Sequence, residues 1–174
     1  MALQLKKLDT TMKTALDNFI ADWKDEEIIP STLNKYEGDI QQFVDYLDMM
    51  ENDPPRLMVP GTVFFLVDEE EILGACEIRH FLNSGLLKYG GHMGYGVAPK
   101  HRGIGYATKM IELAMPFMKQ VGIDKCLITC VQENIASAKS IINAGGILEN
   151  EVEIIRNGIP KIGLKLLFYI NPVS

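Results

Sequence analysis

The sequence predicts one mixed α/β (α+β) domain spanning residues 1–174, and three observations carry the prediction. The chain is 174 residues long and 47% hydrophobic, enough to bury roughly 70% of its unfolded-chain surface around one core. Its periodic segments read as strands that outnumber helices, in an order that does not alternate strand with helix. Near the middle, a glycine-rich strand runs through a short loop into a helix.

Taken in order, Leu3 to Leu8 alternates apolar and polar, as a half-buried edge strand does. From about Thr11 to Asp25, Met12, Ala15, Leu16, Phe19, Ile20 and Trp23 follow helical spacing. A second helix from near Asn34 carries Tyr36, Ile40, Phe43, Val44 and Leu47. Asp53-Pro54-Pro55 ends it, because proline cannot donate to the helix ladder. Val63 to Val67 and Ile72 to Phe81 flank an acidic turn, Asp68-Glu69-Glu70-Glu71, and form a hairpin. Gly90 to Val97 reads as a strand whose glycines at 90, 91, 94 and 96 suggest a bulge or something lying close against the backbone. Next come a helix (about Gly103 to Val121, containing Pro116), a strand (Lys125 to Val131) and a helix (Asn134 to Ala144). Two strands, Ile147 to Arg156 and Pro160 to Ile170, close the chain, hinged at Asn157-Gly158.

Charge excludes some functions. The net charge is −6 and the pI near 5.1, unlike proteins that coat nucleic acid or anionic membrane. The charge is split: residues 1–71 hold 16 acids and 6 bases, net −10, and residues 72–174 hold 7 acids and 11 bases, net +4. The longest apolar stretch, Leu57 to Val67, is about half a membrane span. Nothing near Met1 has the apolar centre of a secretory signal, so a cytoplasmic protein is expected. Cys126 and Cys130 on one strand face would sit about 13 Å apart, too far for a disulfide. With Cys76 they read as core thiols, and no histidine stands at a metal-ligand spacing from them, so no metal is expected.

The chemistry concentrates in Tyr95-Gly96-Val97-Ala98-Pro99-Lys100-His101-Arg102-Gly103-Ile104-Gly105-Tyr106-Ala107-Thr108. Small residues in the loop let backbone N–H groups converge, and the following helix adds its unpaired N–H groups and positive dipole end. Such a cradle binds phosphate or pyrophosphate. Gly103 and Gly105 stand where side chains would obstruct it, while Lys100, His101, Arg102 and Lys109 add positive charge. The strings of a P-loop or a dinucleotide fingerprint are absent.

Val97-x-Pro99 followed by Lys100-x-x-Gly103-x-Gly105 resembles the signature of the GCN5-related N-acetyltransferase (GNAT) superfamily, with Lys100 in place of the usual Gln or Arg. A second match is the strand Cys126 to Val131, then Gln132-Glu133-Asn134 and a helix through Ser137 and Ala138 to Asn143-Ala144-Gly145-Gly146. Residues 62–170 carry the resemblance most strongly. Arg79-His80-Phe81-Leu82-Asn83 and Gly90 to Tyr95 look like a bacterial branch of acetyltransferases. The resemblance implies a mostly antiparallel, twisted mixed sheet of about seven strands with helices on both faces. It implies acetyl-CoA as acyl-donor co-substrate, bound by Tyr95, Val97, Lys100, His101, Arg102, Gly103, Gly105, Tyr106, Ala107, Asn134 and Ser137. The glycine-rich strand would splay from its neighbour to admit the pantetheine arm. A homodimer through the last strands would be ordinary for the family.

By the same resemblance the reaction is attack of a primary amine on the acetyl group in a ternary complex. A protonated amine, with pKa about 10, needs a base. His92 on the slot strand and Glu77 on the adjacent strand are the candidates, while His80 is expected to cap the Asn83-Ser84-Gly85 turn. Many family members place a tyrosine acid where this chain has Ile141. That absence motivates the alternative of a non-catalytic CoA-binding or sensing module, which would bind without turnover. The acceptor is expected to be a small-molecule or protein amine, with no nucleic acid or membrane partner. The acid-rich first 71 residues would favour a cationic one.

Overall fold

The computed structural model describes residues 2–170. Seven strands form two antiparallel ladders, β1-β2-β3-β4 and β5-β7-β6. They comprise β1 (Gln4–Lys6), β2 (Gly61–Asp68), β3 (Glu71–Arg79), β4 (Met93–Val97), β5 (Lys125–Val131), β6 (Ile147–Arg156) and β7 (Ile159–Tyr169). The helices are α1 (Lys13–Asp22), α2 (Ile40–Asn52), α3 (Ser84–Lys88), α4 (Tyr106–Gln120) and α5 (Ile135–Asn143). The ladders meet at a bridge between Gly91 and Ile128. None of the described helices is long and apolar enough to cross a membrane.

Each face of the first ladder buries its own apolar set. Val63, Phe65, Val67, Ile72 and Ala75 pack with Leu16, Phe19, Trp23, Leu33 and Phe43 from α1, α2 and their connection. Leu66, Leu73, Cys76, Ile78 and Met93 pack on the opposite side with Met110, Ile111, Ala114 and Met118 of α4 and with Ile128 and Ile141. Alternation in strands and 3.6-residue spacing in helices produce these two sets, and each fully buried Leu, Ile or Phe contributes about 1.5–3 kcal/mol. Cys76, Cys126 and Cys130 are buried free thiols, and burial pushes Cys76 and Cys126 up to about 12.

Three expected elements differ. The second helix begins at Ile40, after a 3-10 segment Ser31–Lys35, because Gly38 turns the chain at φ 93° and Asp39 caps the new start by accepting from Gln42 N–H at 3.0 Å. The glycine strand begins at Met93 rather than Gly90: Gly90 and Gly91 have φ of 114° and 66°, left-handed values that make a turn and not a ladder. Before that turn stands α3, capped by Asn83, whose Oδ1 accepts from Leu86 N–H at 2.9 Å. His80 is therefore not the cap. Its Nε2 lies 2.8 Å from Thr62 Oγ1, with the ring edge-on to Phe117.

Candidate active site

Strand register creates the site. Arg79 N–H donates to the His92 carbonyl and Ala98 N–H to the Leu73 carbonyl. With Glu77 opposite Gly94, even-numbered residues of β4 direct their backbone groups at β3. Met93, Tyr95 and Val97 direct theirs the other way, where β4 diverges from β5 beyond the bridge. The opening is a cleft of about 560 Å³ lined by β4, the start of α4, and α5.

At one end lies the loop expected to cradle an anion. Gly103 and Gly105 have φ of 83° and 92°, and a Cβ on either would meet nothing within 4 Å. Gly105 is the N-cap of α4 and provides no side-chain cap; Lys109 N–H is the first to reach back, to the Gly105 carbonyl at 3.1 Å. The N–H groups of Tyr106, Ala107 and Thr108 lie ahead of it, in the helix's unpaired first turn. Trp23, 3% exposed, lines the cleft, and its Nε1 has no hydrogen-bond partner among the described residues. Open space above two left-handed glycines, free helix N–H groups and a spare indole donor suit a pyrophosphate-bearing ligand.

Of the residues expected to hold that ligand, Tyr95, Val97, His101, Arg102, Gly103, Gly105, Tyr106, Ala107, Asn134 and Ser137 line the cleft. Lys100 does not. The 3-10 turn Pro99–His101 swings its Nζ to 2.7 Å from Glu71, and it borders a separate depression of about 760 Å³ with Asp22, Asp68, Glu69, Glu70 and Glu71. Lys100 first and His101 second hold the Glu71 carboxyl below its ordinary range. Arg102 is fixed on three sides: Nε donates to the Val97 carbonyl at 3.1 Å, Nη1 lies 2.8 Å from Glu26, and the guanidinium lies 5.2 Å from the Trp23 ring centre. Lys139 and Asn143 also line the cleft. Their spacing from Asn134 and Ala136 along α5 is the signal that would have found them.

The β4 glycines accommodate the protein itself. A Cβ on Gly96 would lie 2.4 Å from the Ile29 carbonyl oxygen and 2.8 Å from Trp23, and one on Gly94 would lie 3.3 Å from Arg79 Nη2. The α1–α2 connection and the Arg79 side chain therefore lie directly on the strand. Arg79 Nη1 also donates to the carbonyls of Gly90 and Gly91, at 3.1 Å each.

Glu77 and His92 are placed differently. Glu77 is 9% exposed at the floor of a second cavity, of about 400 Å³, on the α1/α2 face. Its Oε1 accepts from Thr32 Oγ1 at 2.8 Å and its Oε2 lies 3.4 Å from Arg79 Nη2. Gly94, its neighbour across the ladder, and the Arg79 guanidinium lying over Gly94 stand between it and the cleft edge of β4. His92 is buried at the junction of the ladders: its N–H donates to the Leu127 carbonyl at 2.7 Å, and its Nδ1 accepts from Leu127 N–H at 2.9 Å. Nδ1 is thus the acceptor nitrogen of the neutral ring, and its lone pair is occupied.

Burial, then the nearby Arg79, lowers the His92 pKa from 6.5, and burial lowers that of His80. The unfolded chain therefore binds protons more readily at these positions. The associated stability is complete above about pH 6.5 and is lost as pH falls through the folded-state values. Chemical denaturation between pH 7.5 and pH 5 should show stability falling with pH, and His92→Phe should flatten that slope; an unchanged slope would refute the linkage to His92.

Ile141, at the position of the family's tyrosine acid, is fully buried in the core. One helical turn earlier, Ser137 Oγ faces the cleft 2.7 Å from the Tyr95 hydroxyl. Burial pushes Tyr95 up to about 12, so that hydroxyl stays protonated at neutral pH.

A ribosomal-protein-S5-alanine acetyltransferase from Vibrio fischeri shares this fold with TM-score 0.72 and 16% identity, over 98% of this chain and 94% of that one. The microcin C7 self-immunity acetyltransferase MccE, in complex with acetyl-CoA and AMP, aligns with TM-score 0.67 and 17% identity, over 96% and 92%. A spermidine/spermine N-acetyltransferase from Vibrio cholerae aligns with TM-score 0.66 and 15% identity, over 97% and 95%. No curated protein matches the chain in sequence. The acetyltransferase (GNAT) domain family model matches residues 7–146, and with the splayed β4 and the cradle at the start of α4 behind that match, the chain belongs to the GNAT acetyltransferase family.

Proposed function

We propose that the protein transfers an acetyl group from acetyl-CoA to a primary amine by direct attack in a ternary complex. The observation that carries this is the alignment of three features along β4: the anion cradle at one end, outward N–H groups beside the cleft, and Glu77 behind Gly94. Acetyl-CoA supplies the thioester. The start of α4 holds its pyrophosphate, and the Tyr95 and Val97 N–H groups hold the arm and polarise the carbonyl oxygen, which gains charge as the amine attacks. Glu77 takes the ammonium proton, directly or through one water, so the nitrogen lone pair can form the new C–N bond. As the C–S bond breaks, the proton that the attacking nitrogen still has to lose passes to the departing thiolate, directly or relayed through the Ser137 hydroxyl, which the Tyr95 hydroxyl holds at 2.7 Å. His92 positions β4 against β5.

Thiol release from acetyl-CoA over a panel of amines tests the reading; CoA binding with no turnover on any amine would replace it with a sensing role. Gly105→Asp should weaken CoA binding by roughly tenfold or more, because it sets a like charge at a helix N-terminus. The space around Gly105 and aspartate's tolerance of left-handed backbone keep the variant folded. Calorimetry with CoA measures the effect, and an unchanged Kd would remove the cradle from the CoA site.

A further inference from the structure

The cavity above Glu77 has a chemical character that the transferase reading does not use. None of the 16 acids of residues 1–71 lines it; Glu77 is its one carboxylate, set against the cations Lys35 and Arg79. The acids nearest in the chain gather instead in the separate depression bordered by Asp22 and Asp68 to Glu71. Lys35 is exposed and forms no ion pair among the described residues, whereas Arg79 is committed to Glu77. The remaining wall is largely apolar: Met50, Leu57, Met58, Val59 and Leu86, with Tyr46.

Two of those apolar residues are held in water. Leu57 is 89% exposed and Met58 52% exposed, and Leu57 has φ 74°, a left-handed conformation that a leucine adopts only under constraint. The loop after α2 thus holds an apolar rim over a pocket with a single carboxylate, Glu77, at its floor. A volume of about 400 Å³ falls in the range of small-ligand sites.

We infer that the acceptor is a monoamine with an apolar group beside its nitrogen and an oxygen-bearing tail, the chemistry of an apolar α-amino acid or of the first residue of a peptide. The inference rests on the transferase reading and on Glu77 as the amine's partner. The ammonium meets Glu77 and Thr32, the apolar group lies against Met50, Met58 and Leu86, and the carboxylate or carbonyl oxygen faces Lys35. A polyamine would bring a second ammonium toward Lys35 and Arg79 with no second carboxylate to receive it.

Thiol release from acetyl-CoA, measured with leucinamide, a leucine-headed tripeptide, free leucine, glycinamide and spermidine, tests this. Leucinamide should exceed glycinamide and spermidine in kcat/KM by about tenfold or more, the discrimination that apolar pockets achieve per group. Met58→Asp should draw the leucinamide-to-glycinamide ratio toward one, and Lys35→Glu should raise spermidine relative to leucinamide. Free leucine equal to or better than leucinamide assigns a free amino acid, and the tripeptide better than both assigns a peptide terminus. Spermidine as the best acceptor, or a ratio that Met58→Asp leaves unchanged, overturns the inference while the transferase reading stands. If no amine is acetylated, calorimetry of leucinamide with the CoA-loaded protein decides: binding stronger than that of spermidine keeps the pocket's chemistry and ends the transferase reading, and its absence ends both.

Discussion

Glu77→Gln should lower kcat for amine acetylation by about 10²- to 10⁴-fold, the range that a positioned general base supplies. CoA binding should persist, because Glu77 lines the cavity proposed for the acceptor and not the cleft beside the start of α4. The fold should persist too: glutamine keeps the volume and can accept from Thr32, and Arg79 retains the carbonyls of Gly90 and Gly91. The residual rate carries a pH signature. Without the base, attack depends on amine already deprotonated in solution, so the variant's rate should climb tenfold per pH unit toward the acceptor amine's own pKa, about 8 for an α-amino group and about 10 for an alkyl amine. His92→Gln is the comparison. If its kcat falls as far as that of Glu77→Gln while its melting temperature is unchanged, the base is His92 and the assignment to Glu77 is wrong.

Gly91→Ala should be the most damaging small substitution in the chain. Gly91 forms the bridge to Ile128 between the two ladders, and a Cβ there would lie 2.3 Å from the Leu127 carbonyl oxygen and 2.9 Å from its carbon. Both are backbone atoms of a central strand and cannot move aside independently. The left-handed φ of 66° adds strain for any side chain. Overpacking of this kind costs about 1–3 kcal/mol and the backbone conformation about 1–2 kcal/mol. At 2–4 °C per kcal/mol for a domain of this size, the melting temperature should drop by roughly 4–20 °C. The junction also sets where β4 and β5 begin to part, so the KM for acetyl-CoA should rise in the same variant. Gly103→Ala is the control: its Cβ would meet nothing within 4 Å, leaving only the conformational cost. Equal melting temperatures for the two variants would show that the close approach to Leu127 carries no weight.

Much of this molecule was legible without coordinates, and the reason is local. Lys125–Val131 is a strand over the residues its apolar run marks, because burial of continuous apolar residues is written in their period, and Ile147–Arg156 ends where expected because Asn157 and Gly158 take the left-handed backbone of a two-residue hairpin turn. Gly103 and Gly105 ahead of an apolar-periodic helix announced the open loop before α4, since left-handed backbone and an uncapped helix start are properties of a few consecutive residues. Reading Gly90 and Gly91 as strand failed for the converse reason: glycine permits both extended and left-handed backbone, and only the bridge to Ile128 selects the turn.

The sequence by itself determined the mixed α/β class, the order of its main strands and helices and the left-handed glycine loop ahead of α4, each encoded in short-range periodicity and backbone preference. Tertiary structure alone decided that Ile29 and Arg79 lie on the glycines of β4, that Lys100 turns to Glu71, that the His92 lone pair is taken by Leu127, and that Glu77 faces an apolar-walled cavity with Thr32 above it. Those outcomes depend on which strands pair, in what register, and on where a loop from the far end of the chain crosses the sheet. Such long-range contacts are a property of the packed core as a whole, and no window of neighbouring residues contains them.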